Sequence, residues 1–354
     1  MSNTDDKPAL KITLEDLEKV SLPLSNVTTG SSAAAAGQAR QYGTITAPGE
    51  APIVADEGKS KIYLQGWFYL GSAGLLGGLA GWGICEPWFV DRGGIHWGNL
   101  FMMPGFLTLL CLGLGVAESI VERSGRKALW RALLVLPLGL VFGFLFDTIA
   151  NTIFRIGVKI CFDLGVQTFR NPALWVTRGL AWMVFGVAGG IVYGMVDRSS
   201  RKMRYGIFGG LIGAGLGGLL FDPISMLTGA GAPSRAVGFG LLGLATGVAI
   251  GIVESALKDR WLYVASGPLA GKQFIFYKPL TSIGSSQQCD IYLFKDTSIL
   301  PQHGSVELRG SQTFLHADGQ VFVSGQPVRH RALQSGDLIQ IGRYAFHFRE
   351  RHRS

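Results

Sequence analysis

Seven acidic residues stand within or at the ends of long apolar stretches: Glu86, Glu118, Glu122, Asp147, Asp197, Asp222 and Glu254. An ionisable side chain is costly in such a setting, and by default it marks a functional site. Six of the seven recur in a pattern. GICEPW, FLFDTI and LLFDPI place Glu86, Asp147 and Asp222 at one end of the odd-numbered apolar runs. GVAESIVERSGRK (115–127), GIVYGMVDRSSRK (190–202) and GVAIGIVESALKD (247–259) align without gaps and place Glu122, Asp197 and Glu254 at the other end. Glu118 lies deeper than any of these. Two chemistries fit: rings of carboxylates that draw cations to a pathway, or anchors at the headgroup boundary. All six repeated acids lie at run ends, within reach of headgroup water. Arg123 and Arg198 adjoin the second set, and Glu86 and Asp222 each precede a proline expected to end its helix. Those features favour anchoring.

The elements that carry these acids are six apolar runs near 66–84, 100–121, 132–149, 174–196, 205–222 and 236–254. Each has the length of a helix that crosses a hydrocarbon core of about 30 Å. Composition agrees: 48% of the chain is hydrophobic, only 16% is charged, and there are 51 glycines. The net charge of +8 is concentrated beside the runs, in ERSGRKALWR and DRSSRKMR above all. By the positive-inside rule an even number of helices with this bias puts both termini in the cytoplasm. The long loop between the third and fourth runs carries Arg155, Lys159, Asp163 and Gln167 at four-residue spacing. It predicts an amphipathic helix over 153–168 lying in the outer interface, with a re-entrant piece as the alternative. Glycines repeat every fourth residue, as in Gly209, Gly213, Gly217 and Gly243, Gly247, Gly251. Small residues at that spacing let helices approach closely in lipid.

Residues 1–61 read as a polar, low-complexity cytoplasmic segment with a short amphipathic helix near LKITLEDLEKVSLPL. No apolar core that would make a signal peptide follows the opening residues. Cys85, Cys111, Cys161 and Cys289 have no paired spacing, so neither a disulfide framework nor a zinc site is expected. P-loop, metal-spaced histidine and nucleophile-elbow signatures are absent, which points to a non-enzyme without cofactor or metal. Basic residues that hug membrane ends argue against nucleic acid.

From 258 to 354 the texture changes to short alternating strands separated by Gly, Pro, Asp and Ser turns, which predicts an all-β sandwich. The succession LTSIGSSQQCDIYL, DTSILPQHGSVEL, VFVSGQPV and LQSGDLIQIGRYAFHF resembles a forkhead-associated (FHA) domain. The resemblance implies a sandwich whose end loops bind phosphothreonine peptides through an arginine, a serine and an asparagine. Here Gly284, His303 and Gly325 stand at the loop-shaping positions, while Ser285, Leu300 and Ser324 stand where the family has its arginine, serine and asparagine. The expectation is an intact scaffold without its phosphate grip, with His303 as an internal hydrogen-bonder.

The expected architecture is therefore an α-helical membrane bundle of three hairpin repeats (62–257) followed by an FHA-like β-sandwich. The functional expectation is a bacterial inner-membrane protein that recruits or scaffolds a cytoplasmic protein or peptide, with phosphothreonine dependence doubtful. The rival is a transporter or channel regulated by the module. The lipid bilayer is the other partner, and homo-oligomers remain open.

Overall fold

The computed structural model describes residues 61–90, 96–166, 168, 170–228 and 231–351. The expected amphipathic segment near residue 10 and the linker after it lie outside the described residues. Among the described residues six helices are long and apolar enough to cross a membrane: α1 (Gly66–Cys85), α2 (Trp97–Val121), α3 (Gly125–Asp163), α4 (Pro172–Val196), α5 (Ser200–Thr228) and α6 (Ala232–Leu257). Each packs on the next, and α6 returns to α1, so the six form a closed ring. Helix α2 also reaches α4 and α6. The interior is filled by Phe106, Leu110, Leu114, Phe185, Ile250 and their neighbours.

Close approach depends on the glycines. A Cβ on Gly78 would stand 2.5 Å from the Phe239 carbonyl oxygen, and one on Gly77 would stand 2.6 Å from that of Leu109. A Cβ on Gly213 would be 2.5 Å from both Ala245 O and Thr246 Cα. These seams are therefore backbone against backbone, the arrangement that lipid favours because apolar side chains gain little by meeting there.

Two of the three aligned segments fold into the same turn. After α2, Ser124 N–H donates to Ser119 O at 2.9 Å and Arg123 N–H donates to Ile120 O at 3.0 Å. After α4, Ser199 and Arg198 repeat the pattern onto Gly194 and Met195. Arg123 and Arg198 adopt the left-handed conformation that this helix stop requires, with φ of 56° and 50°. The third segment leaves α6 and enters the first strand instead.

Two expectations need correction. Helix α3 is one helix of 39 residues, so 153–163 continues it instead of lying separately in the interface. Nothing between Asp147 and Asp163 breaks a helix, and Gly157 and Cys161 pack on Thr177 of α4. Pro223 does not end its helix, because α5 runs on to Thr228. A membrane helix tolerates a proline where neighbours take up the freed carbonyl. Pro87, by contrast, does fall in the 3-10 turn that follows α1.

The C-terminal module is a single sheet of nine strands folded on itself around Leu262, Val264, Ile283, Val306, Val321, Phe346 and Phe348. The strands are β1 (Arg260–Ser266), β2 (Gln273–Ile275), β3 (Leu280–Gly284), β4 (Ile291–Tyr292), β5 (Gly304–Arg309), β6 (Gln312–Val323), β7 (Gln326–Ala332), β8 (Leu338–Ile341) and β9 (Tyr344–Glu350). Their order is β2-β1-β9-β8-β6-β5-β3-β4, with β7 also on β6. The twelve-residue β6 makes this possible. Its first half pairs with β5 and its last residues pair with β8.

Overfilling the glycine seams should cost more than emptying a side-chain site. Gly213→Leu and Gly247→Leu are expected to lower the thermal midpoint in detergent well beyond Leu219→Ala. Equal midpoints for the three variants would contradict a bundle held by backbone contact.

Candidate functional site: the module loops and the charged seam beneath them

Strand β3 ends at Gly284, where a Cβ would come within 2.8 Å of the Pro301 carbonyl carbon and 3.0 Å of Cys289 Sγ. Only glycine lets the next loop cross so closely. Ser285 then turns inward: its N–H donates to Leu300 O at 2.9 Å and its hydroxyl donates to Ile299 O at 2.8 Å. Leu300 is 46% exposed, and its N–H donates to His303 Nδ1 at 3.1 Å. An accepting Nδ1 leaves the proton on Nε2, which donates to Gln320 O at 3.1 Å. The His303 carbonyl accepts from both Asp318 N–H and Gly319 N–H. His303 is 2% exposed and fastens three segments to one another. It acts as the internal hydrogen-bonder that the sequence predicts.

Ser324 and Gly325 are not brought to these loops. Both have positive φ, 51° and 81°, and they form the two-residue turn between β6 and β7. That is the backbone of the tightest hairpin turn, which suits glycine and polar residues. Ser324 N–H donates to Leu338 O at 2.8 Å, several residues along β6 from the His303 cluster. Residues 317–320 arrive at the cluster instead. There the β6–β7 ladder opens between the pairs His316↔His330 and Val321↔Val328. The opening is a cavity of about 740 Å³ walled by Ala317–Val321 and Pro327–Arg329. The only sequence signal for it is Ala-Asp-Gly interrupting the alternation of TFLHADGQVFV.

Two of the module's arginines are engaged within it. Arg343 N–H donates to Asp296 Oδ2 at 2.8 Å, and its guanidinium lies 3.6 Å from the same oxygen. Burial works to raise the Asp296 pKa, yet Ser298 and Arg343 together hold it below the usual aspartate range. Asp290 is held low in the same way, against burial, by Lys278 and Ser282. Arg309 is paired with Glu307 at 2.7 Å.

Beneath the loops the module meets the helices. Gln287 Oε1 accepts from Arg126 N–H at 3.2 Å and stands 3.5 Å from Ser124 Oγ. Helix α3 has no side-chain cap of its own at Ser124, so the module supplies one. Lys127 donates to Asp290 O at 3.0 Å, and Ser199 donates to Tyr277 O at 3.3 Å. Lys272 donates to Glu122 Oε1 at 2.6 Å, with side chains 1% and 3% exposed. Lys127 flanks the other Glu122 oxygen at 3.5 Å. Lys202 donates to Glu118 at 2.7 Å and also pairs with Asp197, which Arg131 holds from its other side. At the far end Arg235 holds Glu86 at 2.6 Å, Arg178 holds Asp222 at 2.9 Å, and Asn151 donates to Asp147 at 2.9 Å.

The acids therefore differ from their sequence reading. Glu122 and Glu254 are buried, at 2% and 4% exposure, and are not set among headgroups. Arg123 and Arg198 do not neutralise them. The left-handed turns aim both arginines outward, and the Arg123 guanidinium rests over the Phe294 ring. The bases that pair Glu122 are Lys127 of the next helix and Lys272 of the module. With five of the seven acids ion-paired and the ring interior filled by side chains, the described residues offer no observation that supports a transporter or channel.

A family model described as the cytoplasmic domain of an inner-membrane component of type III secretion systems (Yop-YscD_cpl) matches residues 263–352. Glycogen accumulation regulator GarA of Mycolicibacterium smegmatis is 32% identical over 90 residues, 25% of this chain and 56% of the relative. The oxoglutarate dehydrogenase inhibitor of Corynebacterium efficiens is 30% identical over 90 residues, 25% of this chain and 63% of the relative. The chain thus spans a little over half the length of the curated relatives it matches. The protein is one that joins six long apolar helices to an FHA domain. That domain occupies its last quarter, where the family model also matches. The FHA domain of the CT664 protein from Chlamydia trachomatis superposes at 22% identity, covering 27% of this chain and all of that one, with a TM-score of 0.25. A structure described as a study of phosphothreonine-dependent FHA domain interactions aligns at 21% identity over 27% of this chain and 99% of that one, with the same TM-score.

Removing one partner of a buried ion pair costs about 3–5 kcal/mol, because the other charge is left uncompensated. Lys272→Met is therefore expected to lower the unfolding midpoint of the full chain strongly. Glu122→Gln in the same chain should recover much of the loss. A double-mutant cycle with no coupling between the two would contradict a seam held by this pair.

Proposed function

We propose that this is a non-enzymatic bacterial inner-membrane protein whose FHA domain recruits or scaffolds protein partners in the cytoplasm without needing their phosphorylation. The carrying observation is Ser285. At the expected phosphate-gripping position its hydroxyl is spent on Ile299 O within its own loop. Leu300, the second expected contact, presents an exposed apolar side chain. A charge-assisted hydrogen bond is worth about 1.5–3 kcal/mol, so losing an arginine–phosphate contact costs roughly ten- to a hundredfold in affinity. Partner binding is supported by the likeness of 90 residues to the glycogen accumulation regulator GarA and to the oxoglutarate dehydrogenase inhibitor, and the inner membrane by the secretion-system family model. A cytoplasmic position for both termini is supported by the basic turns at 122–127 and 197–204, the most basic loops of the bundle.

Two measurements test this reading. In intact cells, a cysteine placed by Ser200→Cys should resist a membrane-impermeant thiol reagent; labelling there would reverse the topology. In lipid nanodiscs, the full chain should bind phosphothreonine peptide libraries no better than matched unphosphorylated ones, by fluorescence anisotropy. Ser285→Arg with Leu300→Ser should create a preference for phosphate. A wild-type preference of about tenfold or more would mean that another base has taken over the grip.

A further inference from the structure

The three repeat-related acids at the module end are not treated alike. In the first two segments the acid meets the lysine five residues on: Glu122 with Lys127 at 3.5 Å, and Asp197 with Lys202. The third segment has Asp259 at the corresponding position. Among the described residues Glu254 forms no ion pair, although it is 4% exposed. Tyr193 donates its hydroxyl to Glu254 Oε2 at 3.2 Å, and the Tyr277 hydroxyl of the module faces the same carboxyl. Glu254 Oε1 is buried with no hydrogen-bond partner.

The charges around it do not supply the missing base. From α5, Lys202 is committed to Glu118 and Asp197, which come from α2 and α4. Arg131 of α3 is held by Asp197 and Glu118, and Lys272 of the module by Glu122. From α1 the nearest titratable group is Tyr69, a buried phenol that cannot neutralise an anion. An ionised carboxylate with one oxygen unpaired is strongly disfavoured at such burial, whereas a neutral carboxyl needs no cation.

We propose that Glu254 is a proton-binding site, holding a proton drawn from solvent while the module is seated on the helices. Loss of that proton puts an uncompensated charge against Tyr277, whose backbone carbonyl also receives Ser199 in the same seam. Deprotonation therefore loosens the module from the bundle. By linkage, an acid held neutral in the folded state stabilises least where solvent would ionise it, so the seam weakens as pH rises.

The full chain in lipid nanodiscs provides the test. Infrared spectra at neutral pH should show a protonated-carboxyl C=O band in the wild type that Glu254→Gln removes. As pH rises from about 4 to about 9, the wild-type unfolding midpoint should fall relative to that of Glu254→Gln, the fall setting in just above the pKa of a free carboxyl. A band that Glu254→Gln leaves unchanged, or identical pH profiles for the two proteins, would overturn the proposal. Should Glu254→Gln fail to fold, Tyr277→Phe takes its place. Removing the facing hydroxyl must shift the band's frequency, and an unshifted band would equally reject the site.

Discussion

Lys272 and Glu122 form the contact on which the rest of the arrangement depends. Each is almost wholly removed from solvent, and each comes from a different part of the chain. A buried ion pair contributes little net stability over an apolar replacement, but a half-pair is severely destabilising. Neither the helices nor the sheet can thus bury these residues alone without a large penalty. Gln287 capping α3, Lys127 on the Asp290 carbonyl and Ser199 on the Tyr277 carbonyl surround the pair and align it. The module is seated by specific chemistry, and its connection to the bundle is more than a tether.

That seating changes what the module's loops are for. The loop after Gly284 keeps the path that an FHA scaffold needs, because the Pro301 carbonyl crosses where any Cβ would clash. Its side chains serve other ends. Ser285 stitches the loop to itself, and Gln287 reaches the start of a helix. The open side is marked by Leu300 and by the gap in the β6–β7 ladder. A partner approaching there meets an apolar knob and a cavity with Asp318 and Arg329 on its walls.

The six helices were legible because length and hydropathy alone define them, and the glycine seams because spacing in fours survives unchanged from sequence to packing. Helix ends were less legible. Polar residues such as Arg155 and Lys159 look like a boundary, yet α3 continues through them along α4. Strand β7 was hidden because QPVRHRA is mostly exposed and lacks the apolar alternation that betrays a strand. The placement of Ser324 failed for a local reason: Ser-Gly closes a two-residue hairpin, and the strand before it carries the pair away from His303. The seam could not be read at all. Its partners, 150 residues apart in Lys272 and Glu122, carry no periodic signal, and lysine in a polar β-turn looks like any solvated lysine.

Helix α3 has a mechanical consequence. At 1.5 Å per residue its 39 residues reach about 58 Å, close to twice the thickness of a hydrocarbon core. One end is gripped by Gln287, and the other packs beside Thr177 near the start of α4. It is a single rod joining the two faces of the bundle, with Pro137 as its one intrinsic point of give. A tilt imposed at the far end arrives at the module as a displacement of the helix start that Gln287 holds. Lever geometry therefore connects the FHA domain to whatever touches the opposite side.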